Sequence, residues 1–223
     1  MDGSRGKSNA AAGALHFIED GMTVGLGSGS TAEIFIGMLA ERARRERLRV
    51  KCVPTSVRTG DIARKAGLEV EGYDRAGGID IAVDGADQVD SKLNLIKGYG
   101  GALLREKIVD LSAKRFVVVV DESKLVRGLG GRVPLETVRF AKAHVVAELD
   151  SRGIASSTRQ SGKVEFVTDN GNSIVDAEMP KIRSPARTDR ELRGIVGVVE
   201  TGIFADCVWR VVVGGENGWR ELK

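Results

Sequence analysis

The chain has 223 residues, of which 42% are hydrophobic and 29% charged, as is usual for soluble globular proteins. Aromatic residues make up only 4%, which argues against stacking platforms for single-stranded nucleic acid. The net charge of +3 is too small to indicate a polyanionic partner, and no apolar run has membrane-spanning length. These values fit a protein that binds a small acidic ligand or no charged ligand, with neither nucleic acid nor a membrane as partner.

The cysteines and histidines indicate neither a disulfide nor a metal site. Cys52 and Cys207 lie far apart, each in or beside an apolar run, which predicts buried free thiols in a reducing compartment. His16 and His144 have no metal-ligand spacing to each other or to a cysteine. The N-terminal segment lacks the apolar core of a signal peptide, so we expect a cytoplasmic location.

The first 130 residues alternate between helical and strand patterns. Helices are predicted over residues 8–20, 30–45, 56–66 and 102–112, and strands over residues 22–26, 49–53, 79–83 and 115–120. Ser30-Thr31-Ala32-Glu33 has the form of a capping box that would start the second helix. The alternation and the continuous apolar strands predict an α/β fold whose parallel sheet is covered by helices on both faces.

Residues 131–200 follow a different pattern, which predicts a small inserted α+β domain. VPLETV predicts a strand, residues 141–151 a helix, and KVEFVTDNGNSIVDAEM a β-hairpin with Asn-Gly at its turn. A helix around residues 189–193 and strands near Val196 and Val208 follow. The predicted main domain therefore consists of residues 1–130 and 201–223.

Four groups of glycine, carboxylate and lysine residues follow apolar segments. They are GLGSGSTA (25–32), DGAD (84–87), KGYGG (97–101) with Glu106 in the helix behind it, and DESK (121–124). The Gly-rich group lies at a strand-to-helix turn, where hydroxyls and free N–H groups suit an anion. The carboxyl ends of parallel strands are where such folds bind ligands.

Each group alone also has an ordinary interpretation. Asp84 and Asp87 would serve a turn about as well as a ligand site. A lone lysine after a strand, such as Lys124, is usually a surface residue, and a charged residue in a first helical turn, such as Glu106, usually faces solvent. The repeated placement of such groups favours a binding or catalytic site.

The groups GLGSGSTA, IAVDGADQVD, LIKGYGGALLREKIV, VDESKLV and VTDNGN, in this order and spacing, resemble type A ribose-5-phosphate isomerases. The resemblance runs from about Lys7 to the C-terminus. It implies a Rossmann-like main domain, a small domain involved in oligomerisation, and a homodimer or homotetramer. It also implies interconversion of D-ribose 5-phosphate and D-ribulose 5-phosphate, in the non-oxidative branch of the pentose phosphate pathway, without cofactor or metal.

The resemblance assigns roles to individual residues. Glu106 matches the proton-transferring base, and Asp84, Asp87 and Lys97 match the polar catalytic set. The substrate-binding positions that carry over are Lys7, Ser28, Gly29, Ser30, Thr31, Asp84, Gly85, Ala86, Asp87, Lys97, Gly98, Tyr99, Gly100 and Lys124. Three residues depart from the family pattern: Ser28 replaces a common threonine, Tyr99 replaces a glycine, and Gln88 replaces a usual glutamate.

The chemistry explains why these residue types are needed. Moving a carbonyl between C1 and C2 requires removing a proton from C2 and delivering one to C1 through an enediolate, and a single carboxylate, here Glu106, can do both. Lys97 and N–H groups of a Gly-rich loop would stabilise the charge that develops on the oxygens. Asp84 and Asp87 are candidates for opening the sugar ring or orienting its hydroxyls.

Two other functions fit parts of the sequence. A dinucleotide-binding oxidoreductase would need a third glycine where Ser30 follows Gly25 and Gly27, and an acidic residue where RVKCVP ends in proline. A non-catalytic sugar-phosphate sensor is possible on the same fold, but it would not need Glu106 together with two aspartates and Lys97.

Overall fold

The computed structural model describes residues 3–223. In this range the α-helices are α1 (Gly3–Ala14), α2 (Ser30–Glu46), α3 (Val57–Lys65), α4 (Leu103–Ser112), α5 (Lys142–Ser151) and α6 (Pro185–Arg193). The strands are β1 (Thr23–Leu26), β2 (Lys51–Pro54), β3 (Glu69–Val70), β4 (Ile81–Asp84), β5 (Gln88–Val89), β6 (Leu95–Ile96), β7 (Phe116–Asp121), β8 (Gly131–Thr137), β9 (Ser156–Thr158), β10 (Gln160–Ser161), β11 (Val164–Glu165), β12 (Ser173–Met179), β13 (Val198–Thr201), β14 (Ile203–Phe204), β15 (Arg210–Gly215) and β16 (Gly218–Leu222). None of these helices combines the length and apolar character needed to cross a membrane.

Internal contacts divide the chain into two compact units. The first unit comprises the residues up to Ala86 together with Arg105–Leu125 and Cys207–Lys223. The second comprises Asp87–Leu104 and Val126–Asp206. Residues 87–104, which the sequence pattern assigned to the main domain, thus group with the second unit.

The first unit is built on a seven-stranded sheet in the order β16-β15-β7-β4-β1-β2-β3. All neighbouring strands are parallel except the terminal pair of β15 and β16. From β1 the chain moves outwards through β2 and β3, and from β4 it moves the opposite way through β7 to β15. The predicted Rossmann-like sheet is confirmed, and its strand order reverses between β1 and β4, where such sheets bind ligands.

Residues alternate between the two faces of this sheet, and helices cover both. Leu26 and Cys52 belong to the core beneath α1 and α2, whereas Val53 packs with Val109 of α4. Gly25 also faces α4, and a Cβ atom there would lie 2.7 Å from Cγ1 of Val109. Burial on both faces explains the continuous apolar runs of the strand sequences.

Two predictions about the helices of the first unit are wrong. The first helix begins at Gly3 and ends at Ala14, instead of spanning residues 8–20, and packs tightly at Gly6, where a Cβ atom would lie 2.9 Å from the Gly214 carbonyl oxygen. The capping box of α2 does not form either. Its N-cap is Gly29, and the Glu33 carboxylate pairs with the guanidinium of Arg58 at 2.9 Å.

The second unit contains a four-stranded antiparallel sheet in the order β13-β8-β12-β9. Helices α5 and α6 supply Val145, Leu149 and Leu192 to its core. Strands β14, β6 and β5 form a three-stranded sheet, and β10 pairs with β11. The predicted small α+β architecture is confirmed.

The predicted hairpin over residues 163–179 forms only at its Asn-Gly turn. Strand β12 pairs with β8 along its whole length and with β9 over residues 175–177, so both of its edges are occupied. A single bridge between Val167 and Ser173 closes the Asn-Gly turn. The turn is held by the buried Glu136 carboxylate, which accepts hydrogen bonds from Thr168 Oγ1 at 3.0 Å and from Nδ2 of Asn170 and Asn172 at 2.9 Å each.

Candidate active site

In the first unit, the loop after β1 approaches the end of β4 so closely that only glycine fits at residue 27. A Cβ atom on Gly27 would lie 2.0 Å from Oδ1 of Asp84. That oxygen accepts hydrogen bonds from the backbone N–H groups of Ser28 at 3.0 Å and Gly85 at 2.6 Å, and Asp84 is fully buried. Asp84 therefore anchors the Gly-rich loop to the sheet.

Four hydroxyl groups meet beneath the same loop. The hydroxyl of Ser28 lies 2.8 Å from that of Thr55 and 3.0 Å from those of Ser56 and Thr59. The Thr59 hydroxyl also donates to the Gly27 carbonyl at 3.2 Å. Thr55, Ser56 and Thr59 were not identified from the sequence, although they directly follow β2 and so lie at the same carboxyl edge of the sheet.

The loop ends at the start of α2 in a geometry that suits an anion. Gly29 adopts φ 99°, a left-handed conformation that favours glycine, and no side chain in the described range caps the helix. Ser30 is exposed and Thr31 is buried. The N–H groups of the first turn and the helix dipole together favour a phosphate here.

Lys7 and Lys124 belong to this edge as well. Lys124 lies in a short 3-10 turn directly after β7, where the Asp121 carboxylate accepts a hydrogen bond from the Ser123 N–H at 2.9 Å. Gly6, the neighbour of Lys7, packs against both Gly214 at the end of β15 and Asp121. Both lysines therefore lie at the carboxyl ends of parallel strands, as the Gly-rich loop does.

Glu106 is in the first turn of α4, and the packing of that helix directs it towards the same edge. Ala113, just after the helix, bridges to Ile79 ahead of β4, and Val109 faces Gly25 in the middle of β1. The helix thus runs antiparallel to the strands. Glu106 is only 5% exposed, so the sequence-based alternative of a solvated side chain is wrong.

Asp87 and Lys97 belong to the second unit. Oδ2 of Asp87 accepts a hydrogen bond from the Tyr99 N–H at 2.9 Å. Lys97 is 2% exposed, and its Nζ lies 5.5 Å from the centre of the Phe204 ring. A buried ammonium group suits a site where negative charge develops on a ligand.

The loop that follows Lys97 requires glycine at both of its ends. Gly98 and Gly101 have φ of 95° and 84°, and a Cβ atom on Gly101 would lie 2.3 Å from the Phe166 ring. Tyr99 is half-buried, and the guanidinium carbon of Arg132 lies 4.2 Å from the centre of the Tyr99 ring. Burial, followed by the negative charge of Asp87, raises the pKa of Tyr99.

Gln88, to which the sequence assigned no role, is structural. Its amide donates from Nε2 to the Gly130 carbonyl at 2.6 Å and accepts from the Gly130 N–H at 3.1 Å. A glutamate at this position could accept the second bond but, when ionised, could not donate the first.

Each unit thus gathers part of the predicted set. The first unit brings to the carboxyl edge of its sheet Lys7, Ser28, Gly29, Ser30, Thr31, Asp84, Gly85, Ala86, Glu106 and Lys124. The second unit holds Lys97, Gly98, Tyr99 and Gly100 in the loop after β6, and Asp87, just ahead of β5, bonds to this loop through the Tyr99 N–H. The first set suits an anion and a proton transfer, and the second suits stabilisation of negative charge.

Known proteins resemble this chain in sequence. The family model for ribose 5-phosphate isomerase A (phosphoriboisomerase A) matches residues 51–218. Ribose-5-phosphate isomerase A from Streptococcus agalactiae serotype III is 44% identical over 213 residues, which cover 95% of this chain and 96% of that protein. The protein of the same name from Thermomicrobium roseum is 43% identical over 227 residues, covering 100% of this chain and 95% of its own.

Solved structures resemble this chain in fold over 97% or more of its length. A D-ribose-5-phosphate isomerase in complex with phospho-erythronic acid has a TM-score of 0.96 and 42% identity, with 100% of both chains covered. Ribose 5-phosphate isomerase A from Methanocaldococcus jannaschii has a TM-score of 0.93 and 41% identity, with 97% of both chains covered. This chain belongs to the ribose 5-phosphate isomerase A family.

Proposed function

We propose that this chain interconverts D-ribose 5-phosphate and D-ribulose 5-phosphate through an enediolate, with Glu106 as the base that carries the proton between C2 and C1. The observation behind this proposal is the burial of Glu106 in the first turn of α4, directed to the ligand-binding edge of the sheet. A buried carboxylate meets the substrate without competing water. Family membership supports the reaction itself.

The remaining roles follow from the chemistry of each group. Lys97 and N–H groups of the loop behind it stabilise the charge on the sugar oxygens in the transition state. Asp84 and Asp87 open the sugar ring or orient its hydroxyls. Ser30, Thr31 and the first-turn N–H groups of α2 bind the phosphate, with Lys7 and Lys124 as its positive charges.

The test is a coupled assay of ribulose 5-phosphate formation with the parent protein and with Glu106→Gln. The substitution keeps the shape of the side chain and removes the base, so we expect kcat to fall by about 10² to 10⁴-fold. Glu106 is buried, so circular dichroism should first establish that the variant is folded. Activity near that of the parent in a folded variant would contradict the proposed mechanism.

We also propose that the chain forms a homodimer or homotetramer through its second unit. Phe140 is 98% exposed and Val196 is 78% exposed, and the two loops that carry them are joined by a hydrogen bond from the Val138 N–H to the Gly197 carbonyl at 2.9 Å. Large apolar side chains clustered on a surface are typical of a contact with another protein. The partner we propose is a second copy of the chain.

A cytoplasmic location is proposed on the chemistry of the thiols. Neither Cys52 nor Cys207 forms a disulfide within the described residues, and burial raises the pKa of Cys52 to about 12. Free cysteines are typical of reducing compartments. The reaction moves a carbonyl without net oxidation, so neither a cofactor nor a metal is part of the proposal.

A further inference from the structure

Arg159 of the second unit contacts the backbone of the loop that follows Lys97. Its Nη1 donates hydrogen bonds to the carbonyl oxygens of Gly98 at 2.9 Å and Tyr99 at 3.0 Å. One guanidinium nitrogen thus holds two successive peptide units. Arg159 lies 58 residues or more beyond this loop in the sequence, and no motif of the family resemblance includes it.

The direction of each carbonyl determines the direction of the N–H group in the same peptide unit. In a trans peptide the C=O and N–H bonds point to opposite sides, and the structure has no cis peptide bond in the described range. Because Arg159 binds the Gly98 carbonyl, the Tyr99 N–H points the other way, where Asp87 Oδ2 accepts it at 2.9 Å. The Gly100 N–H is likewise turned away from Arg159.

The guanidinium is itself held in place from several sides. Its Nε donates to Asp176 Oδ2 at 2.8 Å, its Nη2 donates to the other oxygen of the same carboxylate, and its carbon lies 5.9 Å from the centre of the Phe166 ring. The side chains of Arg159 and Asp176 are 10% and 7% exposed. A bidentate, buried pair of this kind fixes the geometry of the fork.

We propose that Arg159 is a positioning residue of the isomerase. Through the Gly98 and Tyr99 carbonyls it orients two peptide units, so that the Tyr99 N–H fixes the carboxylate of Asp87 and the Gly100 N–H faces the developing charge on the sugar oxygens. Arg159 does not touch the substrate. The inference rests on the proposed role of Asp87 and of this loop in the reaction.

The first test is Arg159→Lys, with Arg152→Lys as its matched control. A lysine keeps the charge but has three donors on one nitrogen, too few for the four hydrogen bonds that the Arg159 fork makes. Arg152 also pairs with a carboxylate, that of Glu148 at 3.3 Å, but this pair lies on the surface at the C-terminal end of α5. We expect kcat of Arg159→Lys to fall by about tenfold to a hundredfold, as displacement of positioned groups does, with less than a threefold change in KM for ribose 5-phosphate. The control should keep the parent values.

The inhibition constant of phospho-erythronic acid, measured on the folded protein, distinguishes a positioning role of Arg159 from a merely structural one. This compound carries a carboxylate next to its sugar hydroxyls, which resembles the charged enediolate more than the substrate does. Loss of the oriented N–H groups should raise its inhibition constant more than it raises KM. A variant that has only lost part of its folded fraction would show a lower apparent kcat with both constants unchanged, and that result would overturn the proposal.

A double-mutant cycle tests whether Arg159 acts through Asp87. If it does, Arg159→Lys combined with Asp87→Asn should lower kcat by clearly less than the product of the two single effects. Effects that multiply would overturn the proposal. Should Arg159→Lys not fold, Asp176→Asn, which loosens the guanidinium, replaces it in the same cycle. If Asp87→Asn alone has no effect, the proposed role of Asp87 fails, whatever Arg159 does.

Discussion

At the scale of single residues, the surroundings of a side chain decide its role. Asp84 and Asp87 come from the same short motif, yet Asp84 accepts N–H groups from the Gly-rich loop and its neighbour, whereas Asp87 accepts one from the loop behind Lys97. We therefore expect the two aspartates to differ in what they do. We expect Asp84 to support the Gly-rich loop in addition to the role at the sugar proposed above, and Asp87 to act at the sugar.

The proposed phosphate contact of Lys124 can be tested separately from the chemistry. A phosphate held equally in the ground and transition states contributes uniform binding, so Lys124→Ala should raise KM and leave kcat almost unchanged. A charge-assisted hydrogen bond contributes about 1.5–3 kcal/mol, so kcat/KM for ribose 5-phosphate should fall about tenfold to a few hundredfold. Steady-state kinetics measure both constants.

Unphosphorylated ribose is the control for Lys124→Ala. It should be a poor substrate of the parent and almost indifferent to the substitution. A loss in kcat alone, or an equal loss with ribose, would assign Lys124 to the reacting carbons instead.

At the scale of elements, the conformation of the loop between β1 and α2, residues 27–29, depends on contacts with α3. Thr59, in the first turns of α3, is 2% exposed and bonds both the Ser28 hydroxyl and the Gly27 carbonyl. Ser56 caps the same helix by accepting a hydrogen bond from the Thr59 N–H at 3.0 Å. The start of α3 therefore supports the Gly-rich loop, for which we propose phosphate binding.

We expect Thr59→Val to weaken phosphate binding without touching the substrate. The substitution keeps the shape of the side chain but leaves its buried polar partners without the hydroxyl, and a neutral hydrogen bond contributes about 0.5–1.5 kcal/mol. KM for ribose 5-phosphate should rise about twofold to tenfold, and thermal unfolding should begin at a lower temperature. Thr59→Ser, which keeps the hydroxyl, should restore KM; if it does not, the methyl group and not the hydroxyl is what matters.

At the scale of the whole molecule, the assembly of the second unit is open to test. Phe140→Ser removes the most exposed large apolar side chain of the described residues, so we expect analytical ultracentrifugation to show a shift from the proposed oligomer towards the monomer. Val164→Ser is the control, because Val164 is 66% exposed but lies in β11, outside the loops of Phe140 and Val196. An equal shift in both variants, or none in Phe140→Ser, would contradict the proposed interface.

The whole reaction should also proceed without a metal ion. No group of three histidine, cysteine or carboxylate side chains in the described part of the chain has the arrangement of a metal site. We expect the rate of ribulose 5-phosphate formation to survive prolonged dialysis against EDTA. Activity that disappears on dialysis and returns with an added divalent cation would show that a metal stabilises the enediolate.

Local patterns predicted most of the elements of the first unit but not every detail of their ends. The apolar runs of β1, β4 and β7 predicted the strands of the sheet correctly, because strands buried on both faces need continuous apolar sequence. The capping box failed because Glu33 finds Arg58 on another helix, a contact that no local rule includes. The hairpin over residues 163–179 is confined to its turn because β8 and β9 occupy the two edges of β12 beyond Ser173.

The sequence by itself determined the α/β class, the order of the polar groups along the chain and, through the family resemblance, the candidate residues. These properties depend on short-range periodicity and on motifs a few residues long. The tertiary structure alone decided that Glu106 is buried, that three hydroxyls after β2 support Ser28, and that Arg159 and Asp176 hold the loop behind Lys97. Such contacts join residues that are tens of positions apart, and they exist only once folding has removed water from between them.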